Sequence, residues 1–227
     1  MVKTEPMSTN PFFLTIIVCV SIICSACQAQ NHIKLNVPTN NIDTGVYKQL
    51  DKRFKVSAYK APKHLGGLTP NYPIALGYQV LLDVENEASV QEEDWIEGGF
   101  ISAARKILVK TPDDYVLINN RLELQKMYAP ISTKQEALAY AILNRNGFAV
   151  FDDFYKRKKY RFVGKPAVSS VLEKNGHYIV KVFSYVSFGC YHPYYLETVQ
   201  VDKDGSVKLL SKIKSFYDPA DDSMCVD

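Results

Sequence analysis

Cys190-Tyr191-His192 sets a thiol and an imidazole two residues apart. Positions i and i+2 of one strand share a face, so the pair is a candidate nucleophile and base. A second reading competes with it. Gly189 and Pro193 bracket the pair as they would a loop, and Cys225 offers Cys190 a disulfide partner. Such a bridge would close a loop of about 35 residues, worth ~2–4 kcal/mol. Two free buried thiols are the remaining alternative.

The run Lys156-Arg157-Lys158-Lys159, continued by Arg161, is interleaved with Tyr155, Tyr160 and Phe162. Cations in this density suit an anionic surface: lipid head groups, lipopolysaccharide phosphates or an acidic partner. Basic residues among aromatics also occur at single-stranded nucleic-acid sites. The plainer reading is a solvated loop or strand edge, where lysines discourage edge pairing.

Other candidates are weaker. His32, His64, His177 and His192 are scattered and lack the spacing of a metal motif. Asp218, Asp221, Asp222 and Asp227 crowd the tail with Ser223, but no central glycine orders them as a calcium loop. They read as a solvated acidic tail clipped by Cys225. Glu92, Glu93, Asp94 and Glu97 surround Trp95, yet no second carboxylate across a cleft is implied for glycoside chemistry. The glycine pairs Gly66-Gly67 and Gly98-Gly99 lack both the lysine-hydroxyl ending of a phosphate loop and dinucleotide spacing. No metal and no cofactor is expected.

Which elements would hold these residues? Ser132/Gln135 and Thr133/Glu136 each fit a capping box. Ala137, Leu138, Ala141 and Ile142 follow at helical spacing, and Gly147 is the stop signal. After it the period changes to two. Residues 168–172, 178–186, 195–201 and 206–213 read as strands, joined at Asn175-Gly176 and at Asp202-Lys-Asp-Gly205 by tight turns. One helix packed on an antiparallel β-meander is an α+β layout for the C-terminal half. Earlier, residues 43–54 suit a short helix capped by Asp43, with Val46, Tyr47, Leu50 and Phe54 on one face. Residues 60–73 hold three prolines and two glycines and read as a loop. Residues 74–84 and 115–118 are strand candidates. The placement of this first half against the meander stays open, as does a subdivision near Pro130.

Composition sets the class. The chain has 227 residues, 47% hydrophobic and 22% charged, which is ordinary for a globular domain. With 15 Tyr and 11 Phe, an aromatic core is expected. A net charge of +3 is too mild for nucleic acid, which asks for a concentrated basic face. Of five cysteines, Cys19, Cys24 and Cys27 lie near the start, leaving Cys190 and Cys225 in the body.

The start of the chain gives an address. Residues 11–24 are apolar and uncharged, about the length of a signal-peptide core and short of the ~20 residues of a spanning helix. Lys3, before them, is offset by Glu5, and Met7 is an alternative start. Cys24-Ser25-Ala26-Cys27 resembles the lipobox of bacterial lipoproteins, in which small residues precede a cysteine that is lipidated and becomes the new N-terminus. The family prefers leucine where this chain has Cys24. The resemblance covers residues 1–28 and implies a lipid on Cys27. In a Gram-negative host, Gln28 in place of the retention aspartate implies the outer membrane, with the domain facing the periplasm. Cleavage after Ala29, giving a soluble secreted protein, and an uncleaved anchor are the other readings.

The expected organisation is a signal peptide over 1–26, a tether over 27–42 carrying Pro38, and one α+β domain over 43–227. The expected function is a non-catalytic envelope lipoprotein that works by binding: an immunity or inhibitor protein, or an accessory subunit of an envelope complex. Its partners would be the membrane, through the lipid, and an envelope protein, with no nucleic acid. The balance leans away from an enzyme, because no catalytic pattern is local in the sequence. The alternatives are an envelope hydrolase whose site is assembled from dispersed histidines and carboxylates, and a small-molecule or lipid carrier using the aromatic core as a pocket.

Overall fold

A computed structural model describes residues 44–62, 65–68, 73–80, 95–97, 103–221 and 225. The lipobox-like segment, the tether and residues 81–94 lie outside the described residues. The molecule is α+β, with a helix packed on an antiparallel meander in its C-terminal half.

The first half holds α1 (Thr44–Phe54), β1 (Ser57–Lys60), β2 (Ala75–Val80), β3 (Ile96–Glu97), β4 (Ala103–Lys110), β5 (Tyr115–Ile118) and α2 (Arg121–Tyr128). Its sheet runs β1-β2-β4-β3, all antiparallel, and β5 pairs with the far end of β4. The expected helix and the strands near 74 and 115 are present. Of the expected apolar face of α1, Leu50 and Phe54 pack on Ile74, Ala75 and Leu108. Asp43 and the side chains of Val46 and Tyr47 lie outside the described residues.

The second half is α3 (Lys134–Asn144), β6 (Arg161–Phe162), β7 (Ser170–Lys174), β8 (His177–Tyr185), β9 (Tyr194–Val201) and β10 (Val207–Tyr217). The sheet order is β6-β10-β9-β8-β7. Asn175 and Gly176 both take positive φ, as the tight β7–β8 turn requires. Of the two candidate capping boxes, Thr133/Glu136 forms. The Thr133 hydroxyl accepts from the Glu136 amide at 3.1 Å, and the Glu136 carboxylate accepts from the Thr133 amide at 2.9 Å.

At the other end of α3, Asn146 takes the left-handed turn at φ 51. Gly147, the expected stop, serves a different need. A Cβ on it would come within 2.8 Å of the Phe183 carbonyl, so glycine lets the chain leave the helix against β8.

The helix is buried around its whole circumference from Ala137 to Asn144 rather than along one stripe. One core cluster explains why. It joins Leu138, Tyr140 and Ile142 to Val180, Val182 and Val199 of the meander and to Ile107, Val109 and Ile118 of the first sheet. That core draws on both sides of Pro130. The 202–205 turn is docked too, with the Tyr140 hydroxyl donating to Gly205 O at 2.7 Å.

The meander's other face carries a second core. Val182 and Phe183 are neighbours on β8 and so point to opposite faces, yet both are fully buried. Phe183, Leu196, Phe216 and Val150 form this second cluster, closed by Phe148, Phe154, Tyr155, Tyr160 and Tyr194. Phe216 stacks on Tyr194 with centroids 4.5 Å apart.

Candidate functional site

The basic run sits on the lid of this aromatic core. Residues 154–156 form a 3-10 turn and Arg161–Phe162 the short β6. Tyr155 and Tyr160 go inward, 5.3 and 5.0 Å from Phe216, while Phe162 stays exposed with its ring 6.0 Å from Phe216. Burial pushes the Tyr155 phenol up to about 12. The two tyrosine rings are packing, and they offer no stacking platform for bases.

The cations divide. Lys156 pairs with Asp153 at 2.7 Å, and Lys158 with the buried Asp218 at 2.6 Å. The lysine's hydrogen bond holds the Asp218 carboxyl below its ordinary value. Lys159 and Arg161 flank a shallow groove with Asp218 and Pro219. Arg157 alone reaches the other way.

It lines a cavity of about 360 Å³ between the first sheet, the end of α3 and the segment that follows the helix. Three cations from separate parts of the chain converge on that cavity: Lys60 at the end of β1, Arg105 from the middle of β4, and Arg157. Leu65, Leu76, Phe148 and Phe154 make apolar wall, and no carboxylate is among its described lining residues. Lys60 and Arg157 are exposed at the mouth, whereas Arg105 is 1% exposed.

A buried guanidinium needs partners. The end of α3 provides one, because its last carbonyls have no acceptor role inside the helix. Arg105 donates to Leu143 O at 3.0 Å, while Trp95 donates to Asn144 O at 3.0 Å and Arg121 to the same oxygen at 3.3 Å. Arg105 also lies 5.5 Å over the Trp95 ring. The helix end carries about half a negative charge. Three cations exceed it, so the cavity is net positive.

The other sequence candidates are occupied structurally. Cys190 is joined to Cys225. His192 is buried at 2% exposed, where its Nδ1 donates to Val186 O at 3.1 Å and its ring stacks on Tyr185. Asp218 is buried and ion-paired rather than solvated, and Asp221 accepts a long bond from the Tyr185 hydroxyl. His32, His64, Glu92, Glu93, Asp94, Asp222 and Asp227 lie outside the described residues. No cluster of three or more histidine, cysteine or acidic side chains able to hold a metal occurs among the described residues. Among them, no helix is long and apolar enough to cross a membrane.

One charged site has no counterpart in the sequence reading. Glu197 of β9 is 1% exposed and accepts from Arg145 at 2.8 Å, Ser184 at 2.8 Å and Lys212 at 3.1 Å. Burial pushes its carboxyl up, but the three partners outweigh burial and hold it below its ordinary value. Its β-period places it toward the helix, which is the only local signal. Comparison with protein-family models, with curated proteins and with solved structures returned no match.

Proposed function

We propose that the chain is an exported lipoprotein of the cell envelope, held at the outer membrane by a lipid on Cys27, and that its work is binding. The observation that carries binding is the net-positive cavity between the first sheet and the end of α3, lined by Lys60, Arg105 and Arg157 with apolar wall beside them. The address rests on residues 1–28. An envelope protein is the first partner, as for an immunity protein, an inhibitor or an accessory subunit.

A small-molecule carrier is the second reading, and the cavity specifically favours it. A hydrolase ranks behind both. The nearest thiol–imidazole pair has its sulfur in a disulfide and its ring nitrogen on a carbonyl. Nucleic acid ranks last, because Tyr155 and Tyr160 beside the cations are committed to a core.

The test has two readouts on protein from the membrane fraction. Intact mass after alkylation without reduction should match an acylated chain starting at Cys27 with no alkylated thiol. A chain starting near Gln30 without lipid would overturn the anchor, and an alkylated Cys190 would overturn the bridge. Cross-linking in the envelope followed by pull-down should yield a stoichiometric protein partner. Repeated absence of one would overturn the protein-partner reading and leave the carrier.

A further inference from the structure

The cavity's chemistry is specific enough to name a ligand class. An apolar pocket by itself accepts any hydrocarbon. This one sets two exposed cations, Lys60 and Arg157, at its mouth and a buried guanidinium, Arg105, in its wall. Neither mouth cation has an ion-pair partner among the described residues, unlike Lys156 and Lys158 on either side of Arg157. Two like charges on one cavity whose described lining holds no carboxylate repel each other, and a bound anion relieves that cost. A guanidinium beside an ammonium suits a carboxylate or phosphate head, with at least one fork of parallel bonds. At ~30 Å³, the liquid volume of one water, 360 Å³ has room for about a dozen non-hydrogen atoms. Leu65, Leu76, Phe148 and Phe154 line the cavity beside the cations, so the rest of the ligand is apolar.

We infer that the cavity binds a small organic anion of about a dozen non-hydrogen atoms in all: a carboxylate or phosphate head held by Lys60 and Arg157 over Arg105, with an apolar body against the aromatic and leucine wall. This rests on the reading of the protein as a binding protein and gives that reading a ligand. Arg105 has a double role. It closes the end of α3 through Leu143 O and presents positive charge to the cavity from behind. Lys60 and Arg157 carry no such structural duty, which makes them the residues to test.

The probe is 1-naphthoate, titrated by calorimetry into the full-length protein in detergent, with a blank titration into detergent alone. Saturable one-to-one binding is expected. The neutral isostere 1-naphthamide should bind about tenfold more weakly or worse, the loss of one hydrogen bond to a charged group. The double variant Lys60→Glu/Arg157→Glu should lose a similar factor for naphthoate, with its melting temperature checked against the parent. Lys159→Glu/Arg161→Glu, with the same change of charge outside the cavity, should bind as the parent does. 1-Naphthyl phosphate against 1-naphthoate then ranks the two head groups.

Equal binding of naphthamide and naphthoate would overturn the anion, leaving an apolar pocket. Equal loss in both double variants would replace the site with a general charge effect. No saturable binding of any probe would overturn the ligand class, while a cross-linked protein partner would keep the wider binding reading alive.

Discussion

The two faces of the larger sheet are buried by opposite means. One face meets α3, a helix with its own start and stop, and packs alanine, leucine and valine against it. The other face meets residues 148–167, a segment with one 3-10 turn and a two-residue strand, and packs rings. The helix side is organised locally, by capping and periodicity. The aromatic side is organised only by what it packs on, since Tyr155, Tyr160 and Phe162 are fixed by contact with Phe216. Large rings compensate for weak local order, because each buries far more area than an alanine. The cations between them are carried outward as a result, and that is how Arg157 arrives at the cavity.

The comparison breaks most directly at Phe216. It is fully buried and touches nearly every ring of the aromatic side. Phe216→Ala should cost ~3–5 kcal/mol in urea unfolding. A loss below ~1 kcal/mol would mean that the aromatic side is a covering and not a core.

Glu197 tests how the helix side is tied to the sheet, because it links Arg145 at the end of α3 to Lys212 of β10. Its carboxyl titrates below the ordinary value of 4.5, so its contribution is complete above that value and is lost as pH falls through the lower folded value. The melting temperature should therefore drop in acid, below about pH 4.5. Glu197→Gln should be ~1–3 kcal/mol less stable at neutral pH and should show a shallower acid loss. An unchanged acid limb would remove Glu197 as its source.

The smallest effect sharpens the helix side. Thr133→Ala removes the hydroxyl that accepts from the Glu136 amide and should cost ~1 kcal/mol, read as a lower urea midpoint at constant slope.

This contrast explains what the sequence could reveal. The capping box, the alternating strands and the Asn175-Gly176 turn are local signals, and α3 and β7 to β10 follow from them. Ala103–Lys110 carries no such signal. It is central and buried on both faces, so its apolar residues do not alternate, and Arg105 and Lys106 interrupt the run. Arg121–Tyr128 is short and charged, with only Leu124 and Tyr128 buried. The disulfide was legible because two cysteines remain in the body. The cavity was legible only in part. Arg157 was visible as one member of its basic run, but Lys60 and Arg105 are ordinary residues until the β1-β2-β4 pairing brings their segments together.

The donors that close α3 have a consequence for how the chain is made. Trp95, Arg105 and Arg121 all precede the helix in sequence. A chain emerging from its N-terminus has completed all three before the first residue of α3 appears, so the helix end finds its cap in place. A fragment starting at Pro130 would contain every strand of the meander and none of those donors. Release of the first half strips the Leu143 and Asn144 carbonyls of those donors, so faster amide exchange in the last turn of α3 should report that opening.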